Sequence, residues 1–112
     1  MNKKPEFDDD GYPTEETLET IKNWPYGHGY IDLMSYIGHA WKWEDFVFCN
    51  AIKNAIGNDV WEYTLITGGW SGNEDIISAM ESNQAFFHLC WRESHRGGKH
   101  VYEVAALTKE YK

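Results

Sequence analysis

"VWEYTLITGGWSGNEDIISAM", residues 60–80, is the stretch whose reading decides the fold. From Val60 to Thr67 the residues are mostly β-branched or aromatic, and Trp61, Tyr63 and Leu65 alternate with Glu62 and Thr64. A period of two marks a half-buried strand. Beyond the glycines, Ile76, Ile77 and Met80 lie on one face at helical spacing, which predicts a short helix. Between them Gly68 and Gly69 let the backbone bend sharply out of the strand. Ser71 and Glu74 stand three apart ahead of the apolar run. That spacing predicts a capping box, with Ser71 accepting from the Glu74 amide and the Glu74 carboxylate reaching back.

Downstream, Ser82-Asn83 closes the helix, and "AFFHLCWRESHRGGKHVYEVAAL" (residues 85–107) reads as a β-hairpin. Gly97-Gly98 suits a two-residue primed turn, so paired residue numbers are expected to sum to about 195. In that register Phe87, Leu89, Trp91, Tyr102, Val104 and Ala106 share one face, and Arg92 lies opposite Glu103. The apolar face is expected to pack on the helix that follows the glycine junction.

Upstream, Thr14 is the expected N-cap of a helix carrying Glu15 and Glu16 in its first turn, and Pro25 ends that helix at or just before Trp24. "YGHG" makes a turn. A second helix is predicted from Tyr30 to Trp43, with Tyr30, Met34, Ile37 and Trp41 on its inner face, flanked by Leu33 and Ala40. Residues 44–58 read two ways. "FVFC" passes for a strand, but Phe48, Ile52 and Ile56 fall at helical spacing and Gly57-Asn58 is a stop signal, so a helix is favoured. The expected architecture is α+β: a small, mainly antiparallel β-α-β-β sheet packed with two or three N-terminal helices. Residues 1–13 are a flexible acidic lead-in, and 14–112 a single domain.

Composition narrows the function. The net charge is −8, and seven acids fall in the first nineteen residues: Glu6, Asp8, Asp9, Asp10, Glu15, Glu16 and Glu19. Such a surface repels a phosphate backbone, so direct nucleic-acid binding is not expected. Attraction to a basic host protein, or mimicry of nucleic-acid charge, stays open. Residues 1–13 hold no apolar signal segment, no window is long enough to cross a membrane, and Cys49 and Cys90 form no disulfide framework. A reducing cytoplasm is expected. Aromatic residues make up 16%, more than small cores usually hold, so an aromatic surface patch is expected as well.

No catalytic constellation is legible. "GWSGN" departs from the G-x-S-x-G of a nucleophile elbow. Cys90 beside Trp91 reads as a small buried apolar group. The five histidines do not converge: His95 and His100 fall opposite one another, His88 and Cys90 share another face, and His28 and His39 read as turn and helix-surface residues. No metal or other cofactor is expected. The binding candidates are Gly69, Trp70, Ser71, Gly72 and Asn73 at the junction, with Arg92 and Arg96 in the hairpin. Free amides at a helix start attract anions, an arginine fork pairs with carboxylate or phosphate, and Trp70 could stack on a ring. The competing structural readings are a helix cap at the junction and an Arg92–Glu103 cross-strand pair.

The string "TGGWSGNEDIISAMESNQAFFHLCWRESHRGG" resembles a pattern that recurs in short proteins of phages, prophages and their bacterial hosts. The shared positions are Gly68 to Glu74, then Asn83, Phe87, Trp91, Ser94, Arg96, Gly97 and Gly98, within about residues 60–104. "PTEETL" near the N-terminus matches more loosely. His95 stands where such proteins often carry a second arginine. The resemblance implies a phage or mobile-element protein and brings no activity with it. The expectation is a non-enzymatic binding or accessory protein whose partner is a host protein or a small anionic ligand. The alternatives are an acidic inhibitor of a host protein, and an enzyme or binder for a phosphorylated ligand at the junction.

Overall fold

The computed structural model describes residues 4–42, 47–53 and 57–105. In chain order these form helix α1 (Glu15–Lys22), a 3-10 turn (Tyr26–His28), α2 (Tyr30–Ala40), β1 (Val47–Lys53), β2 (Asp59–Ile66), α3 (Ser71–Ser82), α4 (Gln84–Cys90), β3 (Trp91–His95) and β4 (Lys99–Ala105). The strands lie in the order β1-β2-β4-β3, and every neighbouring pair is antiparallel. The fold is α+β, as the periodicities predict.

Local signals set the first helix. Thr14 caps α1, its side chain accepting from the Thr17 amide at 3.2 Å. The acidic segment ahead of it folds back on the helix. Phe7 bridges to Pro13, the Asp8 carboxylate accepts from the amides of Asp10 and Tyr12 at 2.9 Å each, and the Glu6 amide donates to Thr17 Oγ1 at 2.8 Å.

The helices pack on one face of the sheet. Ile21, Leu33, Ile37, Ile76 and Met80 meet Leu65, Tyr102 and Val104 in one core. Rings fill much of it: Tyr30 meets Phe86 edge-on at 5.1 Å, and Phe86 stacks on Tyr102 at 5.3 Å. Strand alternation puts Glu62, Thr64, Val101 and Glu103 on the other face.

Four expectations need correction. First, Val47–Lys53 is a strand, not a helix; its seven residues pair without a break with Leu65 back to Asp59. Ladder pairing outweighed the helical spacing of Phe48 and Ile52, and Ile56 lies outside the described residues. Second, α2 stops at Ala40 rather than Trp43, because Trp41 is extended and its indole N–H donates to the Ile66 carbonyl at 3.1 Å. Trp43 lies outside the described residues.

Third, residues 84–90 are helical. Asn83 ends α3 and also caps α4, its Oδ1 accepting from the Phe86 amide at 3.3 Å. Its Nδ2 donates to the Ile21 and Trp24 carbonyls, tying α1 to the α3–α4 corner. Phe87, Leu89 and His88 therefore sit on a helix, not on the hairpin's first strand. Fourth, the hairpin loop has three residues, Arg96-Gly97-Gly98. Its pairs, from Glu93↔Val101 to His95↔Lys99, sum to 194. Ser94, not His95, faces His100, and a bulge between Trp91 and Glu93 shifts the register by one more residue. Ala106 lies outside the described residues.

Candidate functional site at the glycine junction and hairpin tip

Thr67, just past β2, organises the junction and is 1% exposed. Its amide donates to the Gly98 carbonyl at 3.0 Å, and its own carbonyl accepts from the Trp70 amide and from Asn73 Nδ2, each at 3.2 Å. Gly68 and Gly69 turn the chain there with φ of 65° and 78°, a region that side chains with a Cβ enter at a cost. Gly98 has φ +90°, and a Cβ on it would lie 2.2 Å from Thr67 Oγ1. The hairpin tip is thus seated against the junction, with no room for a side chain between them.

The capping box does not form. Trp70 is the N-cap, with no side-chain cap bond, and Ser71 is the first helical residue. The helix begins one residue earlier than the box requires, which moves Ser71 out of the capping position. Its Oγ instead donates to Tyr12 Oη at 3.4 Å. The Trp70 indole lies over Gly72, where a Cβ would come within 2.3 Å of the ring. Tyr12 packs against the same indole with its ring tilted by 35° and the centroids 4.8 Å apart, and Lys42 Nζ lies 4.6 Å from the indole centroid. The space over the second residue of α3 is therefore filled by the protein's own aromatic ring.

Asn73 is fully buried and acts as framework. Its Oδ1 accepts from the Lys42 amide at 3.0 Å, and its Nδ2 donates to the Lys42 and Thr67 carbonyls. One side chain thus joins α3, the end of β2 and the chain after α2.

The two arginines separate. Arg92 sits at the bulge, its guanidinium 2.7 Å from Glu62, 2.9 Å from Glu93 and 2.6 Å from Glu103. Glu62 and Glu103 are register partners, so Arg92 neutralises two carboxylates that would otherwise face each other. Hydrogen bonding to Glu103, then to Glu93, pushes the Arg92 pKa further up. The Arg92–Glu103 pair expected from the sequence forms even though the register differs. Arg96 is exposed at the tip and has no ion pair or hydrogen bond among the described residues.

The hairpin also holds a pair that the sequence reading missed. Ser94 Oγ lies 3.0 Å from His100 Nδ1 and accepts from Trp91 Nε1 at 2.8 Å. Burial lowers the His100 pKa, against the opposing pull of Glu81 and Glu74, which favours the neutral ring that can accept from Ser94. A three-residue loop was the signal that would have found it. Cys90 is buried, and desolvation pushes its thiol up to about 12. His28 and His39 are exposed, on the turn and on α2. Among the described residues no group of three or more His, Cys, Asp or Glu forms a metal-binding cluster, and no helix is long and apolar enough to cross a membrane.

Comparison of the chain with protein-family models, with curated proteins and with solved structures finds no match.

Proposed function

We propose that this chain is a non-enzymatic binding protein of phage or mobile-element type, working in the cytoplasm. It engages a host protein through the surface where the glycine junction meets the hairpin tip. The observation that carries this reading is the Thr67–Gly98 hydrogen bond, which sets the Arg96 loop against the junction that carries Trp70. Arg96 supplies an exposed fork for a partner carboxylate, and the Tyr12–Trp70 ring pair supplies apolar area beside the junction. A small phosphorylated ligand over the start of α3 is the weaker reading, because the Trp70 ring already covers Gly72.

The test is an NMR titration of the 15N-labelled chain, first with inorganic phosphate and then with an acidic peptide. The peptide is expected to shift the amides of Gly69, Gly97 and Gly98, and phosphate to shift them little. Arg96→Ala should abolish the peptide response with the melting temperature unchanged. Peptide shifts that are absent, or that survive Arg96→Ala, contradict the reading.

One observation favours a second reading, an acidic inhibitor that engages a basic host protein. Glu6, Asp8, Asp9, Asp10, Glu15, Glu16 and Glu19 are all exposed. The Phe7–Pro13 bridge and the Glu6–Thr17 bond hold them together as one lobe. A salt-sensitive complex with a basic protein, lost on replacing Asp8 to Asp10 but not Arg96, would select this reading over the first.

A further inference from the structure

We propose that β1 is a self-association edge, through which two copies of this chain pair antiparallel about a twofold axis at Asn50 and extend one sheet across both molecules. The inference rests on the strand itself and is independent of the junction surface.

Edge strands present unpaired backbone donors and acceptors, and proteins shield them with charge, bulges, proline or short length. β1 has none of these along most of its run. "VFCNAIK" holds no acid and no proline, and its register with β2 is unbroken over seven residues. Its one charge is at its last residue, where Lys53 is held 2.7 Å from Asp59 of its own chain. Cys49, Asn50 and Ala51 are exposed. In a chain of net charge −8, a regular seven-residue edge without a carboxylate is the segment least repelled by a copy of itself.

The sequence also selects the occupant. Pairing about Asn50 places Val47 across from Lys53, position 48 across from Ile52, Cys49 across from Ala51, and Asn50 across from Asn50 of the second copy. No like charges meet, and the apolar positions 48, 49, 51 and 52 oppose one another, while Val47 meets Lys53 at each end. Directly opposed residues point to the same face, so both sets of helices would cover one side of the joined sheet. The β3 edge of a second copy is a poor alternative, since the Arg92 bulge and the Glu93 carboxylate would have to be accommodated.

Sedimentation of the full chain over a range of concentrations tests the pairing. A monomer–dimer equilibrium is expected, strengthened by added salt, because salt screens repulsion between two acidic molecules. Asn50→Lys should leave only monomer. It opposes two ammonium groups across the axis, yet within its own sheet the new side chain faces Glu62. Circular dichroism checks that this variant folds. A second experiment fixes the register. In a Cys49→Ser background, Asn50→Cys should form an intermolecular disulfide on mild oxidation, and Ile52→Cys should not. A wild-type chain that stays monomeric at every concentration overturns the proposal. So does a dimer that survives Asn50→Lys or is instead lost on Glu93→Lys, and so does equal cross-linking at positions 50 and 52.

Discussion

Strand β3, at one edge of the sheet, is five residues long, carries Arg92, Glu93 and His95, and breaks its register with a bulge. Strand β1, at the other edge, is seven residues long, regular, and charged only at Lys53. Among the described residues the same sheet therefore ends in one irregular, charged edge and one regular edge with a single charge. On β3 the charges are neutralised locally: Arg92 joins Glu62, Glu93 and Glu103, and His95 Nε2 lies 2.6 Å from Glu93. The lesson is that edge protection costs residues and ion pairs. Among the described residues it is applied to the β3 edge and not to the β1 edge.

The largest expected effect comes from removing the Asn73 side chain, which ties α3 to the end of β2 and to the chain after α2. Asn73→Ala removes the side chain that bonds the Lys42 amide and carbonyl and the Thr67 carbonyl. A loss of about 2–4 kcal/mol is expected in urea unfolding. Amide exchange should accelerate more in β1 than in β3.

Next is Gly98→Ala, which attacks the protected side. The left-handed φ and a Cβ 2.2 Å from Thr67 Oγ1 both oppose it. A cost of about 2 kcal/mol is expected, with exchange rising in β3 and β4 and not in β1.

Arg92→Met is expected to cost on the order of 1 kcal/mol, since the network is partly exposed. Its signature lies in pH. Hydrogen bonds from His95 and then Arg92 hold the Glu93 carboxyl below its ordinary value of 4.5. A depressed carboxyl stabilises the fold above its unfolded value, and that contribution is lost as the pH falls below it. The wild type should therefore lose stability on acidification below about 4.5. The Arg92→Met chain should lose less there, because one of the two hydrogen bonds that hold the Glu93 carboxyl down is gone. Melting temperatures measured between neutral pH and pH ~3 decide the matter, and parallel curves would remove Arg92 from this role.

Arg96→Ala stands last, with a change in stability within about 0.5 kcal/mol. A larger loss would mean that the tip arginine is framework, like its neighbour in the hairpin.

What could be read in the sequence was local. Thr14 capping α1, the strand at β2 and the Ile76–Met80 face of α3 each depend on residues a few positions apart, and the α+β class followed from them. What could not be read was set across the chain or by a single position. β1 is a strand because β2 pairs with it, which Phe48 and Ile52 alone do not encode. Asn83 was legible as a stop and is also a start, because one side chain accepts from the Phe86 amide while donating to α1. One residue more in the hairpin loop moved the register and brought Ser94 to His100.

Of the candidate site, the glycines were legible as glycines. The partner of Gly98 was not, because Thr67 lies on another element. Tyr12 and Lys42 reach Trp70 from segments remote in sequence, so nothing near the junction announced that its indole would be covered.

Amide hydrogen exchange, followed residue by residue at low and at high protein concentration, tests the unequal edges most directly. Protection is expected to rise with concentration at the outward-facing amides of Val47–Lys53 and to stay constant across Trp91–His95. Protection in β1 that does not depend on concentration, or a rise at β3 instead, would contradict the account.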